Sequence, residues 1–382
     1  MPCTLSLSSE RQSSLEVLRS APARCKVSAV RSRHCLYCLS GWNAYYGGIF
    51  LPGGHMGFTT ATKLPPYPSH PYRDSADLAQ LLLDNGLTGI SVQDLADRLE
   101  LVGYYRLKGY WYPFLTPMVG SSKRKLPFLL KTAWDPIWER YVFDQELRNI
   151  VFDGIVSIEI FLKSYMAAEL AKATGPFGYL EPAGLPGLST EEHKSAIAGI
   201  AKDYKRSSLP QLKHFKSTYR DPLPPIWMLV DCLSYGDFKK IFYKGADPAI
   251  KRRLASQLGI MSNKPGVGNE KLLRGWLENI RVARNKTAHH DRFWNCIDPK
   301  MTPIKPKLYP ANADWWGNEW EPFRRPESKG PAGFLTMEHF LLKQLGVTHW
   351  RTNFIDLMNR YPGIPLKPMG FPDDWQKLPI WQ

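Results

Sequence analysis

Arginine, asparagine and histidine side chains are concentrated near residue 285, and these residue types together suit acid–base chemistry on a phosphate ester. They belong to a segment, Arg281 to Asn295, that reads RVARNKTAHHDRFWN and is expected to end a helix. At about 100° per residue, one helical face carries Arg281, Asn285, His289 and Arg292. Arg284 lies beside this row. This face has no carboxylate, so it suits an anion, and above all a polymeric phosphate.

These side chains have the chemistry needed to cleave RNA without a metal ion. A histidine such as His289 can take the proton from a 2′-hydroxyl or give one to the leaving 5′-oxygen. Arg284 is always charged and can stabilise negative charge on the phosphate oxygens, while Asn285 can orient the imidazole by a hydrogen bond. We therefore predict Arg284, Asn285 and His289 as catalytic residues, with no cofactor and no metal. Three neighbours are predicted to support them: His290, Arg281 and Arg292.

The same pattern also fits a plain structural feature. A basic, solvated helix end often carries a histidine, because a cation there interacts favourably with the negative end of the helix dipole. Short motifs match by chance often, so an isolated R-x4-H pair favours this structural interpretation. The wider sequence has to decide between the two.

Across about residues 70 to 382, the sequence resembles HEPN ribonucleases in the version found in Abi-like (AbiD/AbiF-type) abortive-infection proteins of bacteria. The motif that carries the resemblance is R-N-K-T-A-H-H-D-R-F-W-N at 284–295. Other segments agree in the family's order: G-Y-Y-R-L-K-G-Y-W-Y-P-F at 103–114, F-D-Q-E-L-R-N-I at 143–150 with Ile158-Glu159 after it, P-P-I-W at 224–227, S-Y-G-D-F at 234–238 and M-G-F-P-D-D-W at 369–375.

The resemblance implies an all-α, HEPN-type helical bundle and an antiphage endoribonuclease toxin that leaves 2′,3′-cyclic phosphate and 5′-hydroxyl ends. AbiF-type relatives are associated with a small non-coding RNA, so a cognate RNA is an expected partner besides the substrate. In-line attack needs a base and an acid on opposite sides of the phosphate, and the chain has one complete R-N-x3-H set. Related ribonucleases pair two such helices across a two-fold axis. We therefore expect a homodimer whose interface contains residues 281–292 of both chains.

The alternative function is a non-catalytic RNA-binding module whose Arg/His groove holds a structured non-coding RNA. Further RNA or groove contacts are expected at five positions: Arg148, Glu159, Arg106, Lys108 and Tyr105. Arg148-Asn149 is not a second catalytic motif, because no histidine follows within ten residues. The aromatic residues of 103–114 can stack unpaired bases, but the pattern favours an aromatic hinge that docks the N-terminal part on the body.

Composition agrees with a nucleic-acid partner. The chain has 382 residues, 50 Lys and Arg against 35 Asp and Glu, and a formal net charge of +15, which favours a polyanion over other partners. Six cysteines are spread thinly, and Cys35 and Cys38 form a lone C-x2-C without the ligands of a zinc site, so free thiols in a cytoplasmic protein are expected. No apolar run is long enough to span a membrane.

The predicted domain order is an N-terminal extension outside the family (1–57), a helical headpiece with the aromatic hinge (58–128), a HEPN-like core (129–297) and a Pro/Trp-rich loop and helix packed on the core (298–382). Helices are predicted at Ser75–Asn85, from Ser91 to Val102, over 135–173, from about Ser189 to Lys205, at Ile226–Tyr243, over 248–259, from Glu270 through the motif, and at Met337–Arg360 with a break near Gly346. The 135–173 helix should bury one face: Leu147, Val151, Ile155, Ile158, Leu162 and Tyr165.

Overall fold

Two short helices with side-chain caps open the part of the chain that the structure describes. The computed structural model describes residues 72–120, 124–262, 264–296, 298, 301 and 330–382, so the predicted extension 1–57 and the Pro/Trp-rich loop lie outside it. Helix α1 (Ser75–Asp84) begins after Asp74, and α2 (Val92–Val102) begins after Ser91. Each capping side chain accepts a hydrogen bond from a backbone N–H of the first turn, as N-cap residues commonly do. Both predicted helices are confirmed.

The aromatic hinge forms helix α3 (Tyr104–Trp111), which buries Tyr110 and Trp111 and leaves Tyr105 exposed. Most of its aromatic rings therefore pack internally. Two small sheets accompany the helices of the headpiece. Strand β1 (Leu87–Thr88) pairs in parallel with β4 (Thr132–Ala133), and β2 (Leu115–Pro117) pairs antiparallel with β3 (Arg124–Phe128).

The central element is a helix of 40 residues, α4 (Asp135–Thr174), which at about 1.5 Å per residue is about 60 Å long. It confirms the helix predicted over 135–173, and the all-α fold class is confirmed with it. Five of the six residues of the predicted apolar face are fully buried, and Tyr165 is half-buried. The motif helix and the two C-terminal helices pack against this one.

One predicted helix, Ile226–Tyr243, is wrong as a continuous element. Helix α5 (Thr190–Arg206) and α6 (Pro210–Thr218) precede it, and the segment itself divides into α7 (Ile226–Leu229) and α8 (Tyr235–Phe238), followed by a π-helical turn. Extended backbone at Leu233 and Ser234 separates the two. The Ser234 hydroxyl accepts a hydrogen bond from the Asp237 N–H, so it caps a new helix and does not continue the old one.

The motif helix is confirmed as α10 (Glu270–Ala288), and α9 (Pro248–Gln257) comes before it. Its inner face is fully buried at four positions: Leu273, Trp276, Leu277 and Ile280. The C-terminal helix starts earlier than predicted and is divided into α11 (Pro331–Gln344) and α12 (His349–Arg360). Gly346, with φ of 74°, lies in the break, as expected for a residue that ends a helix.

Two predictions about the chain's chemistry bear on the described residues. No helix in this part of the chain is long and apolar enough to cross a membrane. Of the cysteines, Cys232 and Cys296 lie among the described residues and form no disulfide.

Helices α4, α11 and α12 cross closely at Gly154. A β-carbon there would lie 2.5 Å from Oε1 of Glu338 and 2.6 Å from Nε1 of Trp350, so only glycine fits. Glu338 is fully buried, and its carboxylate oxygens have no hydrogen-bond partner among the described residues. Burial, reinforced by the charge of Asp153, raises the pKa of Glu338 well above its ordinary value.

Glu338 should therefore make the protein less stable as the pH rises. The native state keeps a proton on Glu338 that the unfolded chain releases above about pH 4.3, so the free energy of unfolding falls by up to about 1.4 kcal/mol per pH unit. The Glu338→Gln variant should lose this slope in urea unfolding. Burial lowers the pKa of His339 to about 4, and its contribution, which rises with pH, is complete near pH 6.5. Because His339 and Cys232, whose pKa burial raises to about 11, are present in both proteins, the difference between the two pH profiles isolates Glu338.

The matched control is Glu181→Gln, at an exposed glutamate. Its pH profile should run parallel to that of the unmodified protein. If the Glu338→Gln profile also ran parallel, Glu338 would be ionised in the native state and this account would be wrong.

Candidate active site at the end of α10

The motif helix ends in a hydrogen-bonded turn that sets the positions of both histidines. The N–H of His289 donates to the carbonyl of Asn285 (3.0 Å), that of His290 to Thr287 (3.1 Å) and that of Asp291 to Lys286 (2.8 Å). This pattern is a Schellman motif, and it places His290 at the position usually taken by glycine. His290 has φ of 59°, a left-handed conformation that costs a non-glycine residue about 1–2 kcal/mol. Such strain at an exposed histidine favours a functional role.

The turn corrects one prediction about the motif face. Arg292 was predicted to continue the helical row of Arg281, Asn285 and His289, but the helix ends at Ala288. Arg292 lies beyond the turn and donates to the backbone carbonyl of Gly109 in α3. Periodicity could not place it, because the left-handed residue at 290 redirects the chain.

The predicted arginines differ in how far their charge is already neutralised. Arg284 is partly exposed, and its Nε lies 4.0 Å from Oε2 of Glu159. Glu159 itself pairs with Lys163 at 2.8 Å, so the structure brings Arg284 and Glu159 together as neighbours and not as a closed ion pair. Arg281 donates from Nε and Nη2 to Glu278, at 3.0 and 2.5 Å, and this hydrogen bonding raises the pKa of Arg281. Arg284 is therefore the better placed of the two to bind a phosphate.

A buried carboxylate fixes the segment that follows the histidines. Asp144 is fully buried and accepts hydrogen bonds from the Tyr110 hydroxyl (2.6 Å), the Arg148 guanidinium and the backbone N–H groups of Phe293 (3.1 Å) and Trp294 (2.5 Å). Burial raises the pKa of Asp144, whereas Arg148 and the other hydrogen bonds act against that rise. Sequence reasoning missed Asp144, although its spacing of four residues from Arg148 was a signal.

Two arginines join α3 to the turn in both directions. Arg106 of α3 donates to the carbonyl of His290, and Arg292, after the turn, donates to the carbonyl of Gly109 in α3. We call these two bonds the reciprocal latch. Lys108 and Tyr105 lie on the same helix and are exposed, and among the described residues neither contacts the histidines. The latch explains how a strained residue such as His290 is held.

A cleft of about 520 Å³ opens between α2, α3, α4 and the end of α10. Three of the predicted residues line it: Arg106, Arg148 and His290. Arg284, Asn285 and His289 are not part of its lining. The predicted catalytic residues thus lie at the end of α10, and the cleft begins at the neighbouring histidine, His290.

Fold and site together define an all-α protein with an arginine- and histidine-bearing helix end suited to phosphate. The family model described as Abi-like protein matches residues 97–295, which is more than half of the chain, and the chain belongs to this family. The match includes α3, α4, α10 and the turn. Membership points to a function in abortive infection. No curated protein and no solved structure matches the chain.

Proposed function

We propose that the protein is an antiphage abortive-infection effector of the HEPN ribonuclease type, which cuts RNA without a metal. The observation that carries the proposal is the end of α10, where two exposed histidines follow Arg284 and Asn285 and one of them is held at φ of 59°. His289 exchanges the proton, Arg284 stabilises the charged phosphate, and Asn285 orients them. A cognate small non-coding RNA is proposed as the partner that keeps this toxin inactive before infection.

A composite site is part of the proposal, because one chain supplies one set of catalytic residues. The surface of α4 beside the site carries an apolar stripe at helical spacing, formed by Phe152, Val156 and Ile160, which are 37%, 38% and 61% exposed. Phe152 also lines the cleft next to α10, and Glu159 next to the stripe neighbours Arg284. Exposed apolar stripes of this kind mark interfaces. Two copies that pair through it bring their α10 ends together across a two-fold axis.

The double variant Val156→Arg/Ile160→Arg should be a monomer and should lose cleavage with the loss of the dimer. Four like charges facing each other across the two-fold axis oppose association, while the exposed positions leave the fold intact. Light scattering coupled to size exclusion measures the mass, and a fluorogenic RNA measures the rate. The matched control, Val119→Arg/Leu130→Arg, changes two exposed apolar residues elsewhere and should remain a dimer. If the stripe variant were monomeric and still cleaved RNA at the normal rate, the hypothesis of a site formed by two copies would be wrong.

The experiment that tests the proposal is incubation of the protein with total RNA in EDTA, followed by mapping of the product ends. The 2′-oxygen loses its proton and attacks the phosphorus, and the 5′-oxygen leaves and takes up a proton. This step predicts 5′-hydroxyl ends, which a kinase labels without prior dephosphorylation. It also predicts cyclic 3′ ends, which resist periodate. Products with 5′-phosphates, or cleavage that EDTA abolishes, would contradict the mechanism.

If no cleavage is observed, the protein is either a ribonuclease inhibited by bound RNA or a non-catalytic RNA-binding module. If RNA copurifies with an inactive protein, a high-salt wash that removes it should release the activity of a controlled enzyme, because phosphate contacts weaken steeply with salt. A stripped protein that binds RNA again and never cuts it would be the RNA-binding module.

A further inference from the structure

The cleft beside the histidine turn contains two amides that the mechanism does not use. We propose that this cleft is a base-recognition subsite, in which Gln145 and Asn149 read an unpaired base of the RNA next to the cleaved phosphate. The inference rests on the proposed function and extends it to sequence specificity. A volume of about 520 Å³ falls within the range of sites that hold small ligands.

Gln145 and Asn149 lie one turn apart on α4, both exposed and both lining the cleft. Within the described residues, neither amide group makes a hydrogen bond. Two other surface amides are already engaged: Gln80 donates to Asp84 at 2.7 Å, and Gln93 donates to Asp97 at 2.8 Å. The cleft amides therefore keep their donors and acceptors available for a ligand.

The walls of the cleft suit the flat face of a base. Phe152 lies a further turn along α4 and presents a partly exposed ring, and Leu101, at the end of α2, is exposed and also lines the cleft. Tyr141 lines the other end of the α4 surface, and its ring lies 5.0 Å from that of Trp138. Recognition of single-stranded RNA combines such stacking with hydrogen bonds to base edges.

Two arginine side chains, each held in place by hydrogen bonds, give the cleft a positive charge. The guanidinium of Arg148 is held by buried Asp144, and that of Arg106 is held by the carbonyl of His290. Both bonds leave other N–H groups of each guanidinium free to meet a phosphate or a base carbonyl. Since His290 lines the cleft and His289 precedes it, a base bound here belongs to a nucleotide adjacent to the catalytic histidine.

Adenine is the base we expect the cleft to prefer. A side-chain amide offers one donor and one acceptor side by side, and this pair matches the N6 amino group and N7 of adenine in a bidentate arrangement. A purine also stacks over a larger area than a pyrimidine, so it buries more apolar surface against the wall of the cleft and binds more tightly.

The first test measures binding without cleavage. Short uridine oligomers carry one central position that is adenosine, cytidine, guanosine, uridine or an abasic ribose, and they bind to a His289→Ala protein that leaves them intact. Adenosine should bind about ten-fold more tightly than uridine, and the abasic oligomer should bind most weakly. Adding Gln145→Ala/Asn149→Ala should abolish the preference among bases. The matched pair Asn353→Ala/Asn359→Ala, at exposed amides of α12, should leave it unchanged.

Cleavage mapping supplies the second readout. The unmodified protein should cut next to adenosines, and the Gln145→Ala/Asn149→Ala variant should cut with no such preference. Cleavage without base discrimination would overturn the subsite and leave the ribonuclease standing. Base preference that depends on the two amides, in a protein that never cleaves, would keep the subsite and remove the ribonuclease. Equal binding of all five oligomers to the His289→Ala protein would also overturn the subsite.

Discussion

The His289→Ala variant is expected to lose RNA cleavage by about 100- to 10,000-fold while still binding RNA, because the loss removes a proton-transfer group and leaves the arginines. His289 is exposed, and only its backbone N–H is bonded within the helix end, so the substitution should not disturb the fold. Single-turnover cleavage of a labelled RNA gives the rate, and filter binding gives the affinity. Thermal unfolding of both proteins should coincide.

Controls at two other histidines make the assignment specific. His214→Ala, at an exposed histidine of α6, should leave cleavage unchanged. His290→Gly removes the neighbouring imidazole and relieves the left-handed backbone, so it should raise the melting temperature and lower cleavage much less than His289→Ala does. If His290→Gly abolished cleavage and His289→Ala did not, the two histidines would exchange roles.

Replacement of Asp144 should have the largest effect on stability. Asp144→Ala leaves buried Arg148 without its partner and removes the acceptor for the Phe293 and Trp294 N–H groups, which together should cost about 3–5 kcal/mol in urea unfolding. Asp144→Asn keeps the shape but loses the charge, and it should remain folded with faster amide exchange at 293 and 294 and slower cleavage. The exchange rates distinguish positioning from a general loss of stability.

Asp97→Ala is the matched control, because Asp97 is also a helical aspartate with a side-chain partner, Gln93, but is exposed. It should change stability by no more than about 0.5 kcal/mol. If Asp144→Asn cleaved at the normal rate with normal exchange at 293 and 294, the carboxylate would have no part in positioning the turn.

Local patterns predicted the elements that depend on local interactions. The helical spacing of apolar residues predicted α4 and α10, and the Ser189 capping box marks the start of α5. The prediction failed at 226–243, where the pattern was helical but Ser234 caps a new helix, and at Pro331, where the last helix begins before its periodic residues.

The candidate site was predictable only in its residue types. Arg284, Asn285 and His289 were found from spacing, whereas the position of Arg292 depends on the left-handed conformation at His290. The bonds of Asp144 to Phe293 and Trp294 join residues 149 and 150 positions apart, and no periodicity contains such contacts.

The reciprocal latch also sets an order of events during synthesis. Arg106 and the carbonyl that it binds are 184 residues apart, so α3 leaves the ribosome long before its partner exists. Contacts of such long sequence separation form late, because the intervening chain must first be ordered. The histidine turn is therefore completed only when the chain through Trp294 has emerged, and a nascent fragment carries no finished site. Any activity that depends on this turn is therefore restricted to chains translated beyond Trp294.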